Sequence, residues 1–417
     1  MTLHTYLTRL RAFSRNARLI LVMSFLEGLG IGGFRLLFNF YVLSLGYDEA
    51  FVGTLQTMQS LAAILAAIPA AYLADRLPSR PLLLGVPLGI GISIIGLVAL
   101  PEPLFLAAFR MLLGTAIAAR EVVVATYLMA NTSDEERQWV FSFNFGFMMA
   151  ATFFGFTIGG VLPAWIGGLI GTAATSTAAY QGAIGILGAA AALGGVPALL
   201  LSRPRNETGL RPESPWILLR RHGRSLLQYL LPNIIIGLGA GMMMPFMNIY
   251  FRKVYGRSDA FIGVLFAGGS IFMALAQFLG PVLAEAKGKI RAVIFTQALS
   301  IPFLALLGLG AFLVPAGIVP VGLAVAVAIL AFNARIALMN MGNPIYQTFV
   351  LEHVHRDVRA MSMSLLSISF QFGWFVMPQV SGSLQVWFGD FGFVPVFAGV
   401  IVFYATAILL ERRFFVR

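Results

Sequence analysis

The sequence predicts an all-α membrane protein, with twelve transmembrane helices in two pseudo-symmetric six-helix bundles. Three observations carry this. The 417 residues are 59% hydrophobic and 11% charged, with a mean hydropathy of +0.87. Soluble domains are nearer half apolar and about a quarter charged. The apolar residues fall in runs of about 20 or more, the length a helix needs to cross hydrocarbon. Finally, the second half of the chain repeats the first.

Taken in order, residues 1–18 are basic and lead into an apolar run with no small-residue cleavage site before it, so an uncleaved first helix is expected. Leu3, Tyr6, Leu7, Leu10 and Phe13 recur at helical spacing among Arg9, Arg11 and Arg15. A short interfacial helix on anionic headgroups and a disordered basic tail both fit that pattern. Spans follow near 19–44, 51–73, 81–100, 104–129, 138–162 and 179–201, then 227–251, 260–284, 291–313, 320–349, 361–386 and 392–411. The most hydrophilic stretch, 202–225, reads as a cytoplasmic linker between bundles 1–201 and 226–417.

Charge sets the orientation. With both termini cytoplasmic, the inner segments collect Arg76, Arg80, Arg137, Lys287, Lys289, Arg412 and most other basic residues, while the outer loops hold Arg252, Lys253 and Arg257. That is the positive-inside pattern, and it points to a multi-pass protein of the cell membrane. It also accounts for the net charge of +11 without nucleic acid. The chain has no cysteine, which removes disulfides and thiolate metal sites.

The internal repeat is explicit. GYDEAFVGTL (46–55) matches GRSDAFIGVL (256–265), and Leu73-Ala74-Asp75 falls on Leu283-Ala284-Glu285. With a one-residue shift, GLGIG…NFY (28–41) falls on GLGAG…NIY (237–250). Two parallel six-helix halves are a recurring transporter architecture, with the solute site expected between halves near the midplane.

These features resemble the major facilitator superfamily over essentially the full length. The loop after the second span reads AYLADRLPSR (71–80) and keeps the family's Asp-Arg and following basic residue as Asp75, Arg76 and Arg80, although Ala71 stands where the family has glycine. The resemblance implies a cytoplasmic gate at these residues, with Glu285 offered by the repeat; a solvated basic loop is the alternative. LAAFRMLLGTAIA (106–118) resembles the fourth-span motif of drug:proton antiporters through Leu106, Arg110 and Gly114. In that branch the arginine is tied to proton movement; a structural arginine on backbone carbonyls is the equal alternative. Gly155, Gly159 and Gly160 only partly match the antiporter signature in the fifth span, since Phe156 stands where proline belongs.

Charges inside spans mark ion or solute paths by default. They are Glu27, Arg35, Arg110, Arg120, Glu121 and Arg335. Glu27 and Arg35 lie about 12 Å apart along one helix, too far for an ion pair, but within about 80° of one face. Arg120 and Glu121, near the inner end, fit a gate. Asn333, Asn340, Asn343 and Gln347 form a polar stripe on the tenth span, read either as cavity lining or as an interhelical amide ladder; Pro344 there removes one backbone donor. Asn39, Gln56, Gln59, Asn248 and Gln371 are further cavity candidates.

No phosphate loop is present, and the histidines fall in loops, so neither an enzyme nor a cofactor or metal is expected. The reading is a monomeric secondary transporter that works by alternating access, moving a small molecule by proton-coupled efflux, with Glu27 as the titrating acid and Arg110 beside it. Symport or uniport of an organic anion or metabolite is the alternative, favoured by the excess of arginine among the buried charges. A transport-inactive receptor or scaffold is the third.

Overall fold

The computed structural model describes residues 13–132, 134–201, 215–355 and 358–416. The expected interfacial helix over residues 3–13 and the linker up to residue 214 therefore lie essentially outside the described residues. Among the described residues every regular element is helical. Eleven helices are long and apolar enough to cross a membrane.

The first unit holds residues 1–45 and 61–210, and the second holds 46–60 and 211–417. In the first, α1 (Arg15–Ser44), α3 (Ser79–Ala99), α4 (Pro103–Asn131), α5 (Asp134–Ile170) and α6 (Thr177–Leu193) form the bundle. Helix α1 packs along α5 and α6, and α3 packs along α4 and α6. Helix α2 (Glu49–Arg76) is divided: its first turns, through Ser60, belong to the second unit and the rest to the first.

In the second unit, α7 (Pro215–Met243) begins inside the expected linker and is followed by α8 (Met247–Tyr255). Then come α9 (Asp259–Lys287), α10 (Lys289–Leu313), α11 (Val321–His353), α12 (Arg359–Phe388) and α13 (Phe393–Phe415). Helix α7 packs along α12 and α13, and α10 packs along α11 and α13. The same pairing scheme therefore recurs in both units, which is the sequence repeat realised in three dimensions.

Local chemistry sets the helix ends. Ser14 accepts from the Ala17 amide at 3.2 Å and Ser176 from Ala179 at 3.2 Å, each satisfying an orphan donor of the first turn. Gly256, at φ +64°, closes α8 in the left-handed conformation. The seventh span is interrupted where Pro245 tightens Met244–Phe246 into a 3-10 turn. By contrast Pro163 leaves α5 intact, so that helix runs to Ile170, past the expected end at 162.

Small residues bring the backbones together. A Cβ on Gly155 would stand 2.5 Å from the Leu29 carbonyl oxygen, so only glycine fits between α5 and α1. At the matching seam a Cβ on Gly237 would stand 2.5 Å from the Phe370 oxygen, and Gly373 faces Gly237 still more closely. The glycines shared by the two halves are thus packing residues.

The second unit's hold on the start of α2 was not visible as a boundary in sequence. Gly53 and Gly382 let residues 49–53 run against α12, and Thr54 donates to Gln379 at 2.5 Å. Lys253 of α8 pairs with Glu49 at 2.6 Å, and Arg252 pairs with Asp259. Glu49 and Asp259 are repeat equivalents, so both copies of one acid meet the basic end of α8.

Candidate functional site

Glu27 is 1% exposed in the interior of the first unit. Its carboxylate accepts a hydrogen bond from Arg120 Nε, ninety-three positions along the chain. Arg120 also donates through Nη2 to Ser24 Oγ at 3.2 Å, and Ser24 donates to Asn144 Oδ1 at 2.7 Å. One polar chain therefore ties α1 to α4 and α5. A Cβ on Gly194 would stand 2.7 Å from Glu27 Cγ, so this glycine just after α6 gives the acid side chain its room.

Arg120 thus belongs with Glu27 and not with the loop residues of the expected gate. Arg110, expected beside Glu27, lies instead over the rings of Phe38 at 4.2 Å and Phe34 at 5.7 Å. Arg110 is buried, and the positive charge that acts on it is Arg35. Arg35 is exposed although Phe34, Leu36 and Leu37 around it are buried. An arginine deep in a span is costly against lipid, so its open side faces a wet surface.

The second unit answers this arrangement differently. At the repeat position of Arg35 stands Met244, and the arginine beside it is Arg335 of α11. Arg335 donates to Met244 Sδ at 3.0 Å and to the Tyr404 hydroxyl at 2.5 Å. It is 3% exposed, and both of these partners are neutral groups of its own unit.

The polar stripe on α11 divides. Asn343 and Gln347 are exposed, while Asn333 and Asn340 donate to the carbonyls of Ile329 and Ile336 on their own helix, at 2.8 and 2.9 Å. The Oδ1 of Asn333 is buried with no hydrogen-bond partner. Asn248 is buried and accepts from the amide of Ile249, a backbone role. Asn39 is buried, whereas Gln56, Gln59 and Gln371 are half-buried, with Gln59 Oε1 lacking a partner.

Of the expected gate residues, Arg76 lies 4.1 Å over the Tyr72 ring and Arg80 donates to the Leu199 carbonyl. Glu121 and Glu285 are exposed, and the side chain of Asp75 lies outside the described residues. The described residues show no cluster fit to hold a metal ion.

Sequence reasoning missed Ser24, Asn144, Gln297, Tyr404 and Glu411. Glu411 sits in the last turn of α13 next to Arg412 and Arg413 and so reads as a flanking charge, yet it is fully buried.

A family model described as Major Facilitator Superfamily matches residues 20–378. Among solved structures, a mutant of the nucleoside transporter NupG superposes with a TM-score of 0.77 at 14% identity, covering 96% of this chain and 99% of that one. A bacterial homolog of the human lysosomal transporter Spinster gives 0.73 at 16%, covering 99% and 98%. A bacterial homologue of the iron transporter ferroportin gives 0.72 at 13%, covering 97% and 99%. At such identities the likeness is one of fold. No curated protein matches the chain.

Proposed function

Since the chain belongs to the Major Facilitator Superfamily, we propose that this multi-pass membrane transporter works by alternating access and that its solute is a small organic anion. The observation that supports the anion is the juxtaposition of Arg35 and Arg110 in the first unit. Two guanidinium groups in electrostatic reach of one another attract an anion placed between or beside them. Arg110 is the fixed charge, braced by two phenyl rings, and Arg35 is the reachable one.

Proton coupling is the second reading, and the buried Glu27–Arg120 pair favours it. A proton on Glu27 would remove the charge that holds Arg120 and so shift the balance between conformations. The chain is read as a monomer in the cell membrane with both termini cytoplasmic. The arginine pair speaks against a cationic drug as cargo.

The test is uptake into proteoliposomes of a panel of carboxylates and cationic dyes, with and without a protonophore. Carboxylate flux is expected, and Arg35→Gln is expected to lower it by about tenfold, as loss of one charge-assisted hydrogen bond implies. Dye flux with no carboxylate flux would refute the anion reading. Full pH-gradient-driven flux in Glu27→Gln would refute the coupling role.

A further inference from the structure

The second unit contains a buried acid for which the anion reading has no use. Glu411 on α13 is 0% exposed. Its Oε1 accepts from Gln297 Nε2 of α10 at 3.1 Å. Its Oε2 is buried with no hydrogen-bond partner, and so is Gln297 Oε1, the other oxygen of the same pair. Gln297 is 6% exposed.

Two buried acceptors of one side-chain pair are therefore orphaned together. As a carboxylate, Glu411 can only accept, and so can the amide oxygen. A single proton on Glu411 Oε2 makes that atom a donor and supplies the one acceptor left over, Gln297 Oε1. Such a bond would close the doubly hydrogen-bonded ring of a carboxylic acid with a primary amide and leave no polar atom of the pair unsatisfied.

Among the described residues the surroundings offer no cation to balance a carboxylate; the side chains of Arg220, Arg221 and Arg224 on α7 lie outside them. Among the described residues Glu411 has no ion-pair partner. From α11 the group that faces it is the Tyr346 hydroxyl, which is spent on the Tyr229 carbonyl at 2.6 Å. From α7 the ring of Tyr229 stacks on Phe415 at 5.0 Å, one turn beyond Glu411. His353 of α11 is exposed and lies on Phe349 at 4.2 Å. Arg412 and Arg413 on α13 and Arg291 on α10 are exposed. A buried ionised carboxylate left without a cation would cost far more than the neutral acid.

We propose that Glu411 and Gln297 form a proton-binding site in the second unit, closed by the seam between α10 and α13. Loss of the proton leaves a buried anion facing an amide oxygen, a state relieved only by water entry or by parting of the two helices. The inference does not depend on which solute is carried.

The test is infrared difference spectroscopy of the full-length protein in lipid at neutral pH. The wild type is expected to show a deuterium-sensitive protonated-carboxyl band that is absent in Glu411→Gln. No difference there would overturn the proposal. Should Glu411→Gln fail to accumulate, Gln297→Met provides the second reading. It removes the donor to the acid's carbonyl, so the band is expected to persist and move to higher frequency. An unmoved or missing band would overturn the site. Neither outcome bears on anion flux, so this site and the solute reading stand or fall separately.

Discussion

Glu27 in the first unit and Glu411 in the second are both carboxyls removed from solvent, and the structure treats them in opposite ways. Glu27 faces a guanidinium, which is itself braced on Ser24. Glu411 faces a primary amide. A buried acid has two routes out of its desolvation cost, a counter-ion or a proton, and the two neighbours suit different routes. The repeat makes the contrast sharper still. Arg35 and Arg110 lie in electrostatic reach of one another in the first unit, whereas in the second Met244 stands at the repeat position of Arg35 and the arginine beside it, Arg335, is held by neutral groups. Charge chemistry is concentrated in one copy of a duplicated scaffold.

The comparison breaks most readily at its ionic side. Arg120→Met strands the Glu27 carboxylate, and removal of one partner of a buried pair typically costs about 3–5 kcal/mol. A large fall in the thermal midpoint of the purified protein is expected. Glu27→Gln combined with Arg120→Met is expected to recover most of it, because the double variant buries no charge. If the single and double variants lose equally, packing of the arginine and not its charge is what matters at Glu27.

The glycine seams of the two units supply a middle-sized test. A methyl group on Gly373 would drive into Gly237, whereas one on Gly155 would meet the Leu29 oxygen at 2.5 Å. Overpacking of this kind costs about 1–3 kcal/mol. Gly373→Ala is expected to lie at the upper end and Gly155→Ala below it, both read as thermal midpoints. Equal losses would mean that the α7–α12 and α1–α5 seams are equally tight.

Much of this was legible in sequence and some was not, for physical reasons. Spans and the repeat are local patterns of hydropathy and spacing, so the helix positions followed from them. The seams followed from glycines at close-packing spacing, and Gly155 and Gly237 do sit there. The Glu27–Arg120 pair was not legible, since helical periodicity relates residues on one helix and says nothing of which helices meet. Arg120 looked like a gate charge because it lies near the inner end beside Glu121, and Glu121 is indeed exposed. Glu411 was hidden by its neighbours: beside Arg412 and Arg413 it resembles a solvated terminus. Its amide partner lies 114 positions away. Likewise the attachment of the first turns of α2 to the second unit rests on Glu49 and Lys253, whose sequence signal is no more than two loop charges.

The smallest expected effect is also the one that separates the two acids most cleanly. Gln is the neutral isostere of a protonated Glu, and its amide can donate to Gln297 Oε1 as the acid's hydroxyl does. Glu411→Gln is therefore expected to leave the thermal midpoint almost unchanged below about pH 4, where an unfolded glutamate still holds its proton. The unfolded chain releases the Glu411 proton above about pH 4–5, where an unperturbed glutamate titrates. A native chain that keeps that proton binds one more than the unfolded chain, and its stability falls as the pH rises, by about 1.4 kcal/mol per pH unit while the difference lasts. The Glu411→Gln variant binds no proton at this position in either state. The two proteins should thus diverge on raising the pH, with the variant becoming the more stable. Glu27→Gln should show the reverse sign, since it deletes a charge that Arg120 needs, and its deficit should already be present at neutral pH. Parallel curves for Glu411→Gln and wild type would mean that Glu411 carries no native proton, and the two buried acids would then be alike after all.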